Sequence, residues 1–327
     1  MKVLVTGGTG FTGSALVLRL LELGHTVTSL DHKPGARSSV LEKAGARLVT
    51  GTIADKTLVS DCVRGQEVVF HLAAAFRELN VTNDHYRLIN VDGTCNVMEA
   101  AEKGGVRKVI YCSTQGVHGH ISRVPGDEDS PIAPADYYQQ TKYEGELVVR
   151  EFMARGFCAS IIRPTAIYGP GDPERFYMIF KRVKKGCFPM FGSGRTFYHP
   201  VYIDNLVDAF LLVLQPGAGD GEAYIIADEK YYSIRELVQR VATAMGVRVR
   251  IIHLPLLPLI AAGHLLEKSC KPFGITPPLF PRRVDWFRQV RAFRIDKART
   301  ALGYSPRIDI DEGLKRTAAW YRAEGLL

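Results

Sequence analysis

No two cysteines in this chain form a C-x-x-C pair. The six thiols, Cys62, Cys95, Cys112, Cys158, Cys187 and Cys270, have no metal-ligand spacing, so neither a disulfide framework nor a bound metal is expected, and a reducing, cytoplasmic setting is. Long apolar runs are also missing. A spanning helix needs roughly 18 uninterrupted apolar residues, and the nearest approach, "LPLLPLIAAGHLL" at 254–266, is short and broken by prolines. The opening "MKVLVTGG" runs straight into a strand pattern without a charged-then-apolar leader, so secretion is not expected. Clusters of like charge are lacking too: the net charge is +8, but the Lys and Arg are scattered. That distribution argues against a nucleic-acid partner and leaves only a weak preference for phosphorylated or carboxylated ligands. There is no internal repeat, low-complexity tract or long linker. What remains is an ordinary globular composition over 327 residues, 46% hydrophobic, enough for two lobes.

What is present begins with "KVLVT", a short β-branched run, followed by "GGTGFTG" and then by "SALVLRLLELG", whose apolar residues recur at helical spacing. Strand, tight loop and helix in that order are a dinucleotide-binding arrangement. Gly7, Gly10 and Gly13 serve a turn with unusual dihedrals, close approach of the backbone to a pyrophosphate, and tight packing of helix on strand. With Phe11 and Thr12 they are candidates to hold the cofactor at the helix N-terminus. A second strand, "TVTSLD", ends in Asp31, where a carboxylate accepts hydrogen bonds from the adenosine ribose and repels a 2′-phosphate. NAD is therefore expected over NADP, with Lys33 and Arg37 close enough to soften the choice.

Strand and helix continue to alternate through "ARLVTG", "EVVFHLAAA", "VRKVIYCST" and "CASIIRP", with helices at about 83–104 and 135–155. This rhythm builds an α/β fold with a doubly wound parallel sheet. "IYGPGDPERF" is the first clear break. Residues 1–168, with 200–228 returning to them, are expected to form the nucleotide-binding domain, and 169–199 with 229–327 a smaller substrate-binding lobe.

In "ADYYQQTKY" at 135–143, Tyr138 and Lys142 stand one helical turn apart and face each other, whereas Tyr137 points off that face. The spacing alone suits an ordinary solvated helix as well as chemistry.

The ordered set "TGGTGFTG", "HLAA", "NVDGTCNVMEAA", "VIYCSTQGVHG", "YYQQTK", "RPTAIYGPGD", "HPVYIDNLVDAF" and "FRIDKARTALGYSP" resembles the extended short-chain dehydrogenase/reductase superfamily. That group includes NAD-dependent epimerase/dehydratase proteins and 3β-hydroxysteroid-dehydrogenase-like enzymes, and the resemblance covers nearly the whole chain. It implies a Rossmann fold, NAD, and hydride transfer at a secondary alcohol or ketone. Tyr138 would be the acid/base, Lys142 would lower its pKa and hold the nicotinamide ribose, and Thr114 would hydrogen-bond the reacting oxygen. Thr52, Ile53, Leu72, Ala73, Ala74, Asn90, Pro164 and Ile167 would complete the cofactor site. The two long helices would form a homodimer interface.

Departures narrow the reaction. Dehydratases that the chain resembles carry an acid just after the Thr, where Gln115 and Gly116 stand here, so dehydration is disfavoured. Sugar-nucleotide epimerases commonly have Asn at the place of Ala166 and a diphosphate-gripping Arg at that of Tyr198, and the family's adenine-contacting Asp and a common Tyr are replaced here by Thr52 and His118. Arg175, Lys181, Arg182, Arg195 or His199 could supply cationic grip instead. An NAD-retaining sugar-nucleotide 4-epimerase is therefore the alternative, and a regulatory protein without turnover the weakest reading. The apolar segment from residue 251 to 280 could pack in the core, line a pocket through Leu257 and Ile260, or touch a membrane surface peripherally.

Overall fold

The computed structural model describes residues 1–76, 81–172, 175–270 and 285–327. The first six strands are β1 (Lys2–Thr6), β2 (Thr26–Asp31), β3 (Arg47–Thr50), β4 (Val68–His71), β5 (Lys108–Cys112) and β6 (Ala159–Pro164). They are followed by β7 (Ala166–Tyr168), β8 (Cys187–Phe191), β9 (Phe197–Tyr198), β10 (Pro200–Tyr202), β11 (Ala223–Ile226), β12 (Tyr232–Ser233) and β13 (Arg250–Leu254). A seven-stranded sheet runs in the order β11-β6-β5-β4-β1-β2-β3, with every pair parallel. The order reverses between β1 and β4. The crevice at the carboxyl ends of those strands is where a doubly wound sheet binds its ligand.

The strands read as apolar runs because both faces are covered. On one face Val3, Val5, Phe70 and Ile110 meet Leu16, Val17 and Leu20 of α1 (Phe11–Glu22) together with the later helix Ile203–Leu212. On the other, Leu4, Val69, Val109 and Ile161 pack against residues 56–63, 93–103 and 137–154. The short helix α2 (Ser38–Lys43) and then α3 (Lys56–Val63) follow α1; Asp55 caps α3 by accepting from Thr57 and Leu58 N–H. A third core, with Phe180, Met190, Leu237, Val241, Leu314 and Tyr321, lies in the region after β6.

The helix expected at 83–104 contains a break. It runs as α4 (Asn83–Arg87), a π-helical turn over Leu88–Asp92, and α5 (Gly93–Lys103). Helix α6 (Tyr137–Ala154) starts two residues later than expected because Asp136 caps it, accepting from Gln139 N–H. β4 ends at His71, before the alanines of "HLAAA". The segment 256–270 forms a helix, Leu256–Cys270, after β13, which pairs with β8. Pro258 sits in its first turn, where no backbone N–H is needed. Leu257 is 79% exposed, which rules out core packing at that position. The rest of the apolar segment, beyond Cys270, lies outside the described residues. Among those residues no helix is long and apolar enough to cross a membrane.

Asp228 joins the regions. It is 3% exposed, its Oδ1 accepts from Tyr202 N–H at 2.9 Å and Asn205 Nδ2 at 2.8 Å, and its backbone oxygen accepts from His199 Nε2 at 2.9 Å. Burial pushes the carboxyl up to about 7, against the hydrogen bonds that hold it down. A raised folded pKa means that this group's stabilising contribution is fully present below the unfolded value near 3.8 and is lost as pH rises through about 7. Asp228→Asn keeps the Oδ1 acceptor and cannot ionise. Calorimetry is expected to find the variant's Tm above wild type at pH 8, by on the order of 5 °C, with the gap closing toward pH 4. A gap independent of pH would refute the assignment.

Candidate active site

The glycine loop is shaped by contacts that exclude side chains. Gly7 has φ +71°, and a Cβ there would stand 2.7 Å from Ala73 N; one on Gly13 would stand 2.0 Å from Gly7 O. The loop therefore touches the chain leaving β4, and α1 rests directly on the loop. Gly10 is the N-cap of α1 and no side chain caps the helix, so its first-turn N–H groups suit an anion. These are the requirements of a pyrophosphate, and the loop fits NAD. Asp31 ends β2, and its carboxylate accepts from Thr9 N–H (3.1 Å), Thr9 Oγ1 (2.7 Å) and His32 N–H (2.8 Å). The acid thus also braces the glycine loop.

His71 is fully buried. Thr94 Oγ1 donates to Asn90 O (2.7 Å), so it can only accept from His71 Nε2–H (3.0 Å). Nδ1 then accepts from Thr6 Oγ1 (2.7 Å), which itself accepts from Ala73 N–H (3.2 Å). The imidazole is neutral in this chain; burial and the Lys142 charge hold its pKa down at about 3. Asn90, in the π turn, works in parallel. Its Oδ1 accepts from Ala75 N–H (2.8 Å), and its Nδ2 donates to Ala75 O (3.2 Å) and Thr141 Oγ1 (2.9 Å); Thr141 in turn donates to Tyr138 O (3.0 Å). One amide thus fixes both the 72–76 segment and the first turn of α6.

The two tyrosines diverge as the helical spacing requires. Tyr138 packs on Phe76 with ring centroids 4.9 Å apart, while Tyr137 meets Tyr86 of α4 at 6.4 Å. Lys142, 1% exposed, lies with Nζ 4.2 Å from the centre of the Tyr111 ring, and burial lowers its pKa to about 8. Thr114 Oγ1 accepts from Gly116 N–H at 3.0 Å, which leaves its own proton to donate elsewhere. Behind them, Glu146 accepts from Ser113 Oγ (2.5 Å) and in bidentate fashion from Arg163 (2.9 and 2.6 Å). Arg163 also donates to His118 Nε2 (3.1 Å), so Nδ1–H donates to Ser130 O (2.9 Å).

A cleft of about 420 Å³ opens between β1 and β4 and brings together Gly7, Gly10, Phe11, Thr12, Leu72, Ala74, Thr114, Tyr138, Lys142, Pro164 and Ile167. Asp31, Thr52, Ile53, Ala73 and Asn90 stand outside its lining. Thr52 Oγ1 accepts from Ala54 N–H, and Ile53 is buried beside Gly93. Phe76, Ser113, Asp136, Gln139, Thr165 and Arg291 also line the cleft. Sequence reasoning missed them; only Asp136, just ahead of a helix, carried a signal, as a capping residue. Among the described residues, Gln115 Oε1 and Thr165 Oγ1 are buried without a hydrogen-bond partner. Of the cations considered, Lys181, Arg182 and Arg195 are exposed outside the lining, and His199 is buried on Asp228. The Arg175 side chain lies outside the described residues. Leu257 and Ile260 are not in the lining of this cleft, so of the three alternatives for the apolar segment the pocket wall is the one they do not meet here; Leu257 faces solvent at the start of its helix.

Residues 3–227 match the family model described as the NAD dependent epimerase/dehydratase family. The chain is 31% identical to 3β-hydroxysteroid-dehydrogenase/decarboxylase isoform 1 of Arabidopsis thaliana, over 96% of this chain and 78% of that protein. It is also 31% identical to 2-alkyl-3-oxoalkanoate reductase of Stenotrophomonas maltophilia, over 98% and 99%. Among solved structures, UDP-glucose 4-epimerase of Thermotoga maritima with UDP-glucose superposes with a TM-score of 0.82 at 27% identity, over 99% of both chains. With the glycine loop and the seven-stranded parallel sheet, these matches establish that the chain belongs to the NAD-dependent epimerase/dehydratase family, within the extended short-chain dehydrogenases/reductases, and is an NAD-dependent enzyme.

Proposed function

We propose that this enzyme interconverts a secondary alcohol and a ketone on a substrate with an apolar body, and that Thr114, Tyr138 and Lys142 carry the reaction. The observation behind the reading is that all three line the cleft that holds the glycine loop, with the half-exposed ring of Phe76 against Tyr138. NAD supplies the hydride acceptor, and in its reduced form the donor. Tyr138 takes the hydroxyl proton in oxidation and returns it in reduction. The free phenol titrates near about 10, and the Lys142 ammonium favours its ionised form. Thr114, whose oxygen already accepts from Gly116 N–H, donates to the substrate oxygen and holds it in line. The dehydrogenase and reductase named among the relatives support net redox turnover, and so does the neutral Gln115 beside Thr114. A second reading, the NAD-retaining sugar-nucleotide 4-epimerase, is favoured by the likeness to UDP-glucose 4-epimerase over both whole chains. Cofactor that stays bound through purification supports the epimerase; exchangeable cofactor with steady NADH production supports the dehydrogenase.

The same proposal assigns Asp31 to the adenosine ribose, with Thr52, Ile53, Leu72, Ala73, Ala74, Asn90, Pro164 and Ile167 around the rest of NAD. It takes 1–168 with 200–228 as the nucleotide-binding domain, supported by β11 completing the main sheet, and 169–199 with 229–327 as the substrate lobe. A cytoplasmic enzyme is supported by the unpaired state of Cys62, Cys95, Cys112, Cys158 and Cys187. A homodimer through α4, α5 and α6 is supported by the exposed Leu88 and Leu147; light scattering that returns a monomer at micromolar concentration counts against it.

Tyr138→Phe is expected to lower kcat by about 10²- to 10⁴-fold while NAD affinity, measured by NADH fluorescence, holds. Tyr137→Phe is expected to change little, and an exchange of the two results would mean that the helix register is misassigned. Reduction needs both a protonated Tyr138 and a charged Lys142, so kcat/KM for the ketone is expected to fall as pH rises through about 8; a flat profile to pH 9.5 contradicts it. Asp31→Asn keeps an acceptor for Thr9 and removes the charge. The NAD-over-NADP ratio of kcat/KM is expected to drop by about tenfold or more, and a wild type that prefers NADP sinks the assignment.

A further inference from the structure

We propose that Tyr111 is a positioning residue for the reaction: the face of its buried ring seats the Lys142 ammonium at the wall of the cleft and stabilises its charge. The inference rests on the reading that Lys142 assists Tyr138, and it adds the group that holds Lys142. Lys142 lines the cleft yet is almost fully buried. Glu146, the carboxylate one turn further along α6, is taken by Ser113 and Arg163, and among the described residues Lys142 forms no ion pair. What its Nζ does meet is the Tyr111 ring, 4.2 Å from the centroid. That is cation–π distance, and the attraction strengthens where water is excluded.

The ring is fixed in the orientation that presents this face. Tyr111 is fully buried on β5, its hydroxyl donates to Lys142 O at 3.2 Å, and the His71 imidazole packs on it with centroids 5.5 Å apart. One tyrosine thus grips the lysine at both ends, the backbone oxygen through the hydroxyl and the ammonium through the ring. Room for the hydroxyl comes from Gly145, where a Cβ would stand 2.3 Å from Tyr111 Oη; glycine weakens a helix interior, and this contact accounts for one inside α6. Burial pushes the Tyr111 phenol above its ordinary pKa, so the ring stays neutral while Lys142 titrates. The other titratable groups around the ammonium are Cys112 on β5, His71 on β4, and Tyr138 and Glu146 on α6. Burial holds the Cys112 thiol up at about 11 and the His71 imidazole down at about 3, so neither changes charge near pH 8, and Glu146 is matched by Arg163.

The test titrates Lys142 directly, by NMR of protein with isotope-labelled lysine ε-carbons, its signal assigned through its loss in Lys142→Arg. A Tyr138→Phe background, run in parallel, removes the one other group of the set that ionises in the reaction. Wild type is expected to titrate at about 8. Tyr111→Leu is expected to titrate lower by about one pH unit or more, because only the protonated lysine loses by removal of the ring, and Tyr111→Phe, which keeps the face and drops the hydroxyl, close to wild type. The sign separates this from loosened packing, since a cavity that merely admitted water would hydrate the ammonium and move the titration up. NADH fluorescence and Tm verify that each variant is folded. The pH at which kcat/KM for ketone reduction falls is expected to move down with the titration in Tyr111→Leu. A titration that is unchanged or raised in Tyr111→Leu, or lowered as far in Tyr111→Phe, overturns the proposal whatever turnover does. A titration that moves as expected beside an unmoved turnover profile leaves Lys142 seated on Tyr111 and overturns instead the role given to Lys142 in the reaction.

Discussion

The buried ion pair between Glu146 and Arg163 is the constraint on which the active region depends. Both side chains are almost completely removed from water, and charges in that position are tolerable only when each is matched by hydrogen bonds. The matching partners come from the surrounding elements. Ser113 follows β5, Arg163 belongs to β6, Glu146 lies one turn beyond Lys142 on α6, and His118 closes the far side of the guanidinium. Meeting the demands of one carboxylate therefore fixes the angle of α6 against the sheet. That angle determines where Tyr138 and Lys142 stand relative to Thr114. The same demands keep His118 neutral: Arg163 donates to one ring nitrogen and the other donates to Ser130 O, so a second proton has no place to go, and its pKa is lowered by burial and then by the Arg163 charge.

Much of this architecture could be read in the sequence because it rests on local rules. Period, glycine spacing and strand length gave the alternating elements, and helical geometry alone separated Tyr138 from Tyr137. The π turn at Leu88–Asp92 was hidden because its apolar pattern remains compatible with an uninterrupted helix; the reason for it, the reach of Asn90 to Ala75 and Thr141, is tertiary. The same holds for Glu146 and Arg163. A lone acid on a helix and a lone arginine in a strand look like surface residues until the fold brings them together.

The substrate side was less legible for a related reason. The cleft-lining residues beyond the recognised motifs come from distant parts of the chain: Phe76 after β4, Thr165 between β6 and β7, Arg291 bridged to β9. No spacing links them. Conversely, the most conspicuous apolar stretch in the sequence drew attention to Leu257, which faces solvent. Hydrophobicity along a chain says how much apolar surface is present. Which cavity it faces is decided by packing.

The tight contacts of the glycine loop bear on how sequence variation there should be read. At positions 7 and 13 an added methyl group would collide with backbone atoms, Ala73 N in one case and Gly7 O in the other, whereas at position 10 the nearest backbone atom is 3.3 Å away. Inactive alleles at 7 and 13 therefore report on whether strand, loop and helix can assemble at all. Position 10 is tight as well, but there Gly7 O needs to give by only a few tenths of an ångström, so of the three glycines it is the one at which a small substitution disturbs the anion seat with the least disruption of assembly.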